Sequence, residues 1–512
     1  MKSIDRVEYA SSVKCRIGLI LGPALALILL YAVKMDPANP LVARTAAVAV
    51  LMAVWWITEA IPIAATALLP VVLFPLAGIM KGKIVAPIYF NHVIFLFIGG
   101  FIVALAMQKW ELHRRIALRI ILLIGAGQRR IMLGFMAATA FLSMWISNTA
   151  TTMMMVPIAL AIIVKLEESY GCERVGRFSM GLLIGIAYAA SIGGTATLIG
   201  TPPNPLFVQV LSISFPQAPD ITFASWFLFG LPFAVLFLAV SWWLLSLLFA
   251  PRREKFDVDE TVFRAELSRL GKMPYEEIAV LVAFILMALL WMFRNDIPLG
   301  SFIIPGWIRL LPVPDFIDDG TIAIMVALLL FLIPSRSRPG RLMDWKSVRE
   351  LPWGIVLLFG GGFALASGFK ESGLSLWLGG QLTGLEGMPA PLMISLICFM
   401  MTFLTELTSN TATTEMILPI LGSLAVAIRL NPLLLMIPAT LSASCAFMLP
   451  VATPPNAIIF GTNRVSMSGL AKTGVVFNLA GILLVTLSVF LVGALVFNIS
   501  LHEFPAWANT GG

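Results

Sequence analysis

The chain is 512 residues long, 59% hydrophobic and only 12% charged, with a mean hydropathy of +0.95 and a formal net charge of +7. That composition excludes an ordinary soluble globule, and the Lys and Arg residues sit in short loops beside apolar runs, which argues for membrane topology and against a nucleic-acid-binding face. Four dispersed cysteines, Cys15, Cys172, Cys398 and Cys445, and three scattered histidines, His92, His113 and His502, have the spacing of neither a disulfide framework nor a metal site.

Apolar segments able to cross a hydrocarbon core of about 30 Å, which takes roughly 20 residues, recur from end to end. Residues 1–512 therefore read as one all-α polytopic membrane transport domain. Lys2, Arg6, Lys14 and Arg16 precede the apolar run 17–33, and with no small-residue cleavage pattern after it, this run is expected to be an uncleaved first span. Spans one to three are expected near 16–33, 41–57 and 61–79, the last two parted by Glu59-Ala60-Ile61-Pro62, where charge and proline break the run. Trp55 and Trp56 read as interface anchors. A fourth span, about 93–108, contains Gly99-Gly100 and empties into 109–130, whose six Lys or Arg mark an interfacial, cytoplasmic stretch.

Two short apolar arms follow, about 131–146 and 153–164, around the polar hexad Ser147-Asn148-Thr149-Ala150-Thr151-Thr152. Polar groups at membrane depth are tolerated where they are buried in protein or face a water-filled cavity, so a re-entrant hairpin with the hexad at its tip is expected. The run Met153 to Met155 reads as packing. The segment 179–212 is interrupted by Gly193-Gly194 and by Gly200-Thr201-Pro202-Pro203-Asn204, which predicts a broken helix. A span at 225–250 leads to a charged loop, 251–275. Spans near 276–293 and 321–334 then flank a loop carrying Asp315, Asp318 and Asp319, and a basic loop holds Arg336, Arg338, Arg341, Lys346 and Arg349. After it come a Gly-rich span at 353–369, hairpin arms around Ser409-Asn410-Thr411-Ala412-Thr413-Thr414, a broken helix at 433–463 interrupted by Thr453-Pro454-Pro455-Asn456, and a final span at 472–498.

The second half thus repeats the first: 93–250 and 276–498 are two repeats, and 1–92 holds the N-terminal spans. The two hexads are identical and lie 262 positions apart, as do Gly99-Gly100-Phe101 and Gly361-Gly362-Phe363; the two Thr-Pro-Pro-Asn runs lie 252 apart. Placing all basic loops in the cytoplasm makes the first hairpin enter from inside and the second from outside, so the repeats are inverted. About eleven spans plus two hairpins put the N-terminus inside and the C-terminus outside a plasma or inner membrane. In such folds, substrate and ions bind near the midplane where broken helices meet. Short hydroxyl and amide side chains with freed carbonyls suit a small dehydrated cation, and helix N-termini suit an anion. Glu59, Glu406 and Glu415 are membrane-region carboxylates, each either functional or paired with a basic group.

These motifs, with Trp55 to Pro62 (WWITEAIP) and the stretch Ser444 to Asn456, resemble the divalent anion/sodium symporters, carriers of di- and tricarboxylates or sulfate, over nearly the full length. The resemblance implies one sodium site formed by Ser143, Ser147, Asn148 and the Gly200 carbonyl, and a second formed by Thr405, Thr408, Asn410 and the Ala452 carbonyl. It implies that Ser147, Asn148, Thr149, Ser409, Asn410 and Thr411 hold the substrate carboxylates, with Thr201, Pro202, Thr453 and Pro454 nearby. It also implies a homodimer whose transport domain moves, elevator-like, against a scaffold that includes the first three spans.

The expected function is sodium-coupled symport of a C4-dicarboxylate such as succinate, malate or fumarate. Sodium-independent exchange, and citrate or sulfate as substrate, are the alternatives on the same fold. A passive anion channel would show flux without uphill accumulation. An enzyme is not expected, because no nucleophile-base pair or metal cluster stands among the intramembrane residues. Sodium ions, the dicarboxylate anion and membrane lipid are the expected partners, without a further cofactor and without nucleic acid.

Overall fold

The computed structural model describes residues 13–125, 127–250, 260–299, 302–381, 384, 387–500 and 503–509. Lys2, Arg6, His502 and the first part of the charged loop, 251–259, lie outside the described residues.

The chain opens with α1 (Val13–Tyr31) and α2 (Pro40–Thr58), which pack along each other. Asn39 starts α2 by accepting from the Leu41 amide at 3.2 Å, and Glu59 stops it in a left-handed conformation at φ 51°. The third expected span, 61–79, is not one helix. It is α3 (Ile63–Thr66) followed by α4 (Leu69–Leu76), because Pro70 at the start of α4 has no N–H with which to continue the ladder from α3. After α5 (Gly82–Ile88), Asn91 caps α6 (His92–Lys109), and the basic stretch forms the separate helix α7 (Leu112–Ile124).

The first hairpin is α8 (Gln128–Ser143) and α9 (Asn148–Tyr170). Here the structure differs from the expected loop tip: only Ser147 lies outside the helix, as its N-cap, while Asn148 to Thr152 form the first turns of α9. A Ser-Asn-Thr run is a helix start, and the side chain of Ser147 accepts from the Ala150 amide. The arm is also longer than expected, since α9 runs on through Lys165 and Glu168 to Tyr170. The broken helix is α10 (Cys172–Gly194) and α11 (Pro203–Ser214), with 195–202 unwound between them. The long helix α12 (Phe223–Phe249) closes this half.

The second half holds α13 (Thr261–Arg269), α14 (Tyr275–Met292), a small hairpin of β1 (Ile297–Leu299) and β2 (Phe302–Ile304), and α15 (Asp319–Leu332). Among the described residues the fold is therefore all-α but for one two-stranded ribbon. After α16 (Trp345–Val348) come α17 (Trp353–Glu371) and α18 (Leu374–Gln381), then the second hairpin, α19 (Ala390–Thr405) and α20 (Asn410–Ala427). The second break separates α21 (Leu433–Ala443) from α22 (Pro454–Phe460), and α23 (Met467–Ser488) continues through a π-turn into α24 (Ala494–Val496).

Among the described residues, nine helical stretches are long and apolar enough to cross a membrane; 61–79 and α15 are shorter helices. One large core joins both hairpins and both broken helices, and a smaller one, built on Trp56, Phe74, Tyr89 and Phe369, unites α2 to α5 with α17. Several ion pairs tie loops and helix ends together. Lys109 pairs with Asp344, Arg115 with Glu277 and Arg464 with Glu167, whereas Arg294 pairs with Asp319 and Arg309 with Asp296. Every pair joins segments that the counting of spans puts on one side. On the basic face, the bond from Lys109 and the Ser347 amide hold the Asp344 carboxyl down at about 2.

Candidate binding site

Both hexads and both breaks open on one cavity of about 740 Å³. Its wall holds Ser147, Asn148, Thr149, Gly200, Thr201 and Pro202 from the first repeat, and Thr408, Ser409, Asn410, Thr411, Ala452, Thr453 and Pro454 from the second. All ten expected substrate residues are thus brought together. Ser143 and Thr405 are fully buried behind the wall. Ser143 Oγ donates to Asn148 Oδ1 at 2.5 Å, and Thr405 Oγ1 donates to Asn410 Oδ1 at 2.6 Å. The same bond recurs at the 262-residue offset, so each repeat orients its asparagine in the same way.

The breaks are matched as well. Asn204 Nδ2 donates to the carbonyls of Thr197 and Gly194 at 2.7 and 3.3 Å; at the 252-residue offset, Asn456 Nδ2 donates to those of Leu449 and Ala446 at 3.1 and 3.3 Å. These amides satisfy backbone groups that unwinding would otherwise leave orphaned. Thr201 Oγ1 lies 3.3 Å from Ser444 Oγ, joining the two breaks directly. Tyr188 of α10 adds a 2.6 Å bond to the Phe447 carbonyl.

Four helices begin at the cavity: α9 at Ser147, α11 at Pro202, α20 at Ser409 and the short α22 at Thr453. The first-turn amides of α9 and α20 and the positive dipole ends of the longer helices make an environment for negative charge, whereas α11 and α22 open on Pro203 and on Pro454-Pro455, which have no N–H to offer. Ser409 makes no side-chain cap, which leaves the first amides of α20 to a ligand. Phe101, Ile199, Ile355, Leu358, Leu407 and Val451 supply apolar walls, and among the described residues Lys14 is the only basic one of the lining.

The first cation set has a cradle that the sequence reading missed. A Cβ placed on Gly194 would lie 2.7 Å from Asn148 Oδ1 and 3.0 Å from the Gly200 carbonyl oxygen, so both oxygens converge where glycine leaves room. This donor set, an amide oxygen, a carbonyl and nearby hydroxyls, fits a small cation. The second set is not a copy: Ala446 stands at the offset position of Gly194, and Thr408 Oγ1 is engaged with the Leu404 carbonyl and Thr413 Oγ1. The signal in the sequence was a glycine in the first break facing an alanine in the second, which occurs at Gly194 with Ala446 and again at Gly200 with Ala452.

Of the three carboxylates, Glu59 lines the cavity beside Lys14, Cys15 and Thr58. Glu406 is buried and takes no basic partner among the described residues. Its oxygens accept from the amides of Phe447, Met448 and Leu449 at 2.7, 2.8 and 3.0 Å and from Asn478 Nδ2 at 2.8 Å, so it fastens the second break. Glu415 lies outside the cavity, against α17.

Similarity to known proteins extends over the whole membrane region. The family profile described as the sodium:sulfate symporter transmembrane region matches residues 19–499. A protein of Staphylococcus saprophyticus named sodium-dependent dicarboxylate transporter SdcS is 44% identical over 481 residues, 93% of this chain and 90% of that relative. The protein of the same name from Staphylococcus aureus (strain NCTC 8325) is 45% identical over 496 residues, 95% of this chain and 93% of that one. Among solved structures, Neisseria gonorrhoeae MtrF, from a class titled antimetabolite efflux pumps, superposes with a TM-score of 0.55 at 13% identity, covering 92% of this chain and 98% of its own, which is a likeness of fold.

Proposed function

This chain belongs to the sodium:sulfate symporter family, and we propose that it is a sodium-coupled symporter of C4-dicarboxylates. It is a multi-pass membrane transporter and not an enzyme. The observation that carries the substrate class is the convergence of four helix N-termini and two Ser-Asn-Thr runs on one cavity whose lining, among the described residues, contains a single basic residue. An anion bound there is held by hydroxyls, amides and dipoles, and leaves much of its charge to be balanced by co-bound cations. The residues for those cations are Ser143, Ser147, Asn148 and the Gly200 carbonyl on one side, and Thr405, Thr408, Asn410 and the Ala452 carbonyl on the other. Two such sites match the charge of a dianion.

The cavity reaches Lys14 at the start of α1 and Pro352 and Gly354 at the start of α17, next to the basic loop. With basic loops in the cytoplasm, it opens inward. On this reading the protein is a homodimer in which the hairpins and broken helices, α8 to α11 and α19 to α22, shift against α1 to α5 to carry the loaded site across. The deciding experiment is labelled succinate uptake into liposomes under an inward sodium gradient, compared with potassium outside and succinate preloaded inside. Uphill accumulation with sodium alone is expected. Uptake that needs internal succinate and ignores sodium would instead establish an exchanger.

A further inference from the structure

The second hexad helix carries a carboxylate that neither substrate nor sodium explains. Glu415 is fully buried, and both of its oxygens lack a hydrogen-bond partner among the described residues. Its side chain lies flat on the glycine face of α17: a Cβ on Gly362 would stand 2.5 Å from Glu415 Cδ. Position 153 of the first repeat, at the 262-residue offset, is Met153, which is 60% exposed, so the repeat fold itself does not require an acid here. An ionised carboxylate without donors or a counter-charge in a dry interior is the most costly arrangement a side chain can adopt there, and a buried group relieves it by becoming neutral.

The surrounding elements offer no alternative relief. Arg44 of α2 donates to the Ala77 carbonyl, and Lys370 of α17 to the Ile213 carbonyl. Glu371 ends α17 nine residues beyond Gly362, about 13 Å along the helix. On the hairpin side, Glu406 is occupied by the amides of 447–449, and Cys398 of α19 packs beside Thr486. The remaining helices against α20, which are α11, α18 and α21, carry no Asp, Glu, Lys, Arg or His. Tyr89, which closes α5, is the titratable group nearest in the cluster, and its hydroxyl is spent on the Ala67 carbonyl at 2.6 Å.

We propose that Glu415 is a proton-binding site separate from the substrate cavity: with α20 seated on Gly362, it holds a proton as a neutral carboxylic acid. The ligand is the proton itself, and the glycine face of α17 is the wall that keeps water away from it. Ionisation of Glu415 therefore opposes the packing of α20 on α17. A neutral isostere needs no proton and keeps the packing at any pH.

The test uses the purified full-length protein, wild type and Glu415→Gln, with Glu415→Met as a second variant that borrows the side chain of the first repeat. Infrared difference spectra at neutral pH should show a protonated-carboxyl C=O band in wild type that shifts in D2O and is absent from both variants. The thermal midpoint of wild type should fall relative to Glu415→Gln as pH rises above neutral, a range in which a dicarboxylate substrate is already fully ionised. Coincident spectra in the carboxyl region, or a midpoint difference that does not change with pH, would overturn the proposal by showing the group ionised and solvated. Neither readout involves transport, so the result stands apart from the symport assignment.

Discussion

At the scale of single residues, the two asparagines are where the proposed cation and substrate sites meet. Asn148 and Asn410 each accept from a buried hydroxyl at the same offset and each face the cavity, so Asn148→Ala and Asn410→Ala are expected to abolish sodium-driven uptake while the protein stays folded. Uptake assays paired with size-exclusion profiles check this; normal uptake in either variant removes that residue from the site. Gly194→Ala probes the cradle. The added methyl falls 2.7 Å from Asn148 Oδ1, on a helical residue where alanine is otherwise welcome, so the expected effect is on ion binding and not on folding. A loss of tenfold or more in apparent sodium affinity, about 1.4 kcal/mol, is predicted from sodium titration of uptake.

At the scale of elements, the unwound segments are stable only because side chains from elsewhere take up their backbone groups. The second break hangs on Glu406, which gathers three consecutive amides and Asn478 of α23. Hydrogen bonds to a charged group contribute about 1.5–3 kcal/mol each, and a buried donor left unpaired costs its desolvation. Glu406→Gln, which retains one acceptor oxygen, should lower the thermal midpoint modestly, and Glu406→Ala should lower it much further and weaken substrate binding with it. Equal midpoints for the two variants would mean that the amides find other partners. The first break is fastened differently: Met144 stands at the offset position of Glu406, and its carbonyl accepts from Thr197 Oγ1 at 2.5 Å. Repeats that share a ligand pattern are therefore held by unlike scaffolding.

At the scale of the molecule, none of the ion pairs named above joins loops that the counting of spans puts on opposite sides. The pair of Glu167 with Arg464 ties the end of the first hairpin to the loop after the second break, so those segments share a face. Cys172, exposed between α9 and α10, lies on that face, whereas Cys398 and Cys445 are buried. With Cys15 replaced by serine, a membrane-impermeant maleimide should label Cys172 in inside-out vesicles and leave intact cells unlabelled. Labelling from outside would invert the whole topology.

Most span positions and the duplication were legible from the sequence alone, because transfer of apolar side chains into lipid and the cost of polar groups at depth act locally on composition, whereas the proposed ligand sets came from the resemblance to the symporter family. The hexads, the Thr-Pro-Pro-Asn breaks and their offsets therefore pointed to one site before any coordinates. Packing decided the rest. That 61–79 is two short helices, that Asn148 to Thr152 are helical, that Gly194 is a cradle in one repeat only, and that Glu406 is satisfied while Glu415 is not, all depend on which backbone lies opposite each residue. Residues 406 and 415 are both glutamate on one hairpin, and only the neighbours that tertiary structure supplies, three amides for one and a glycine face for the other, give them different chemistry.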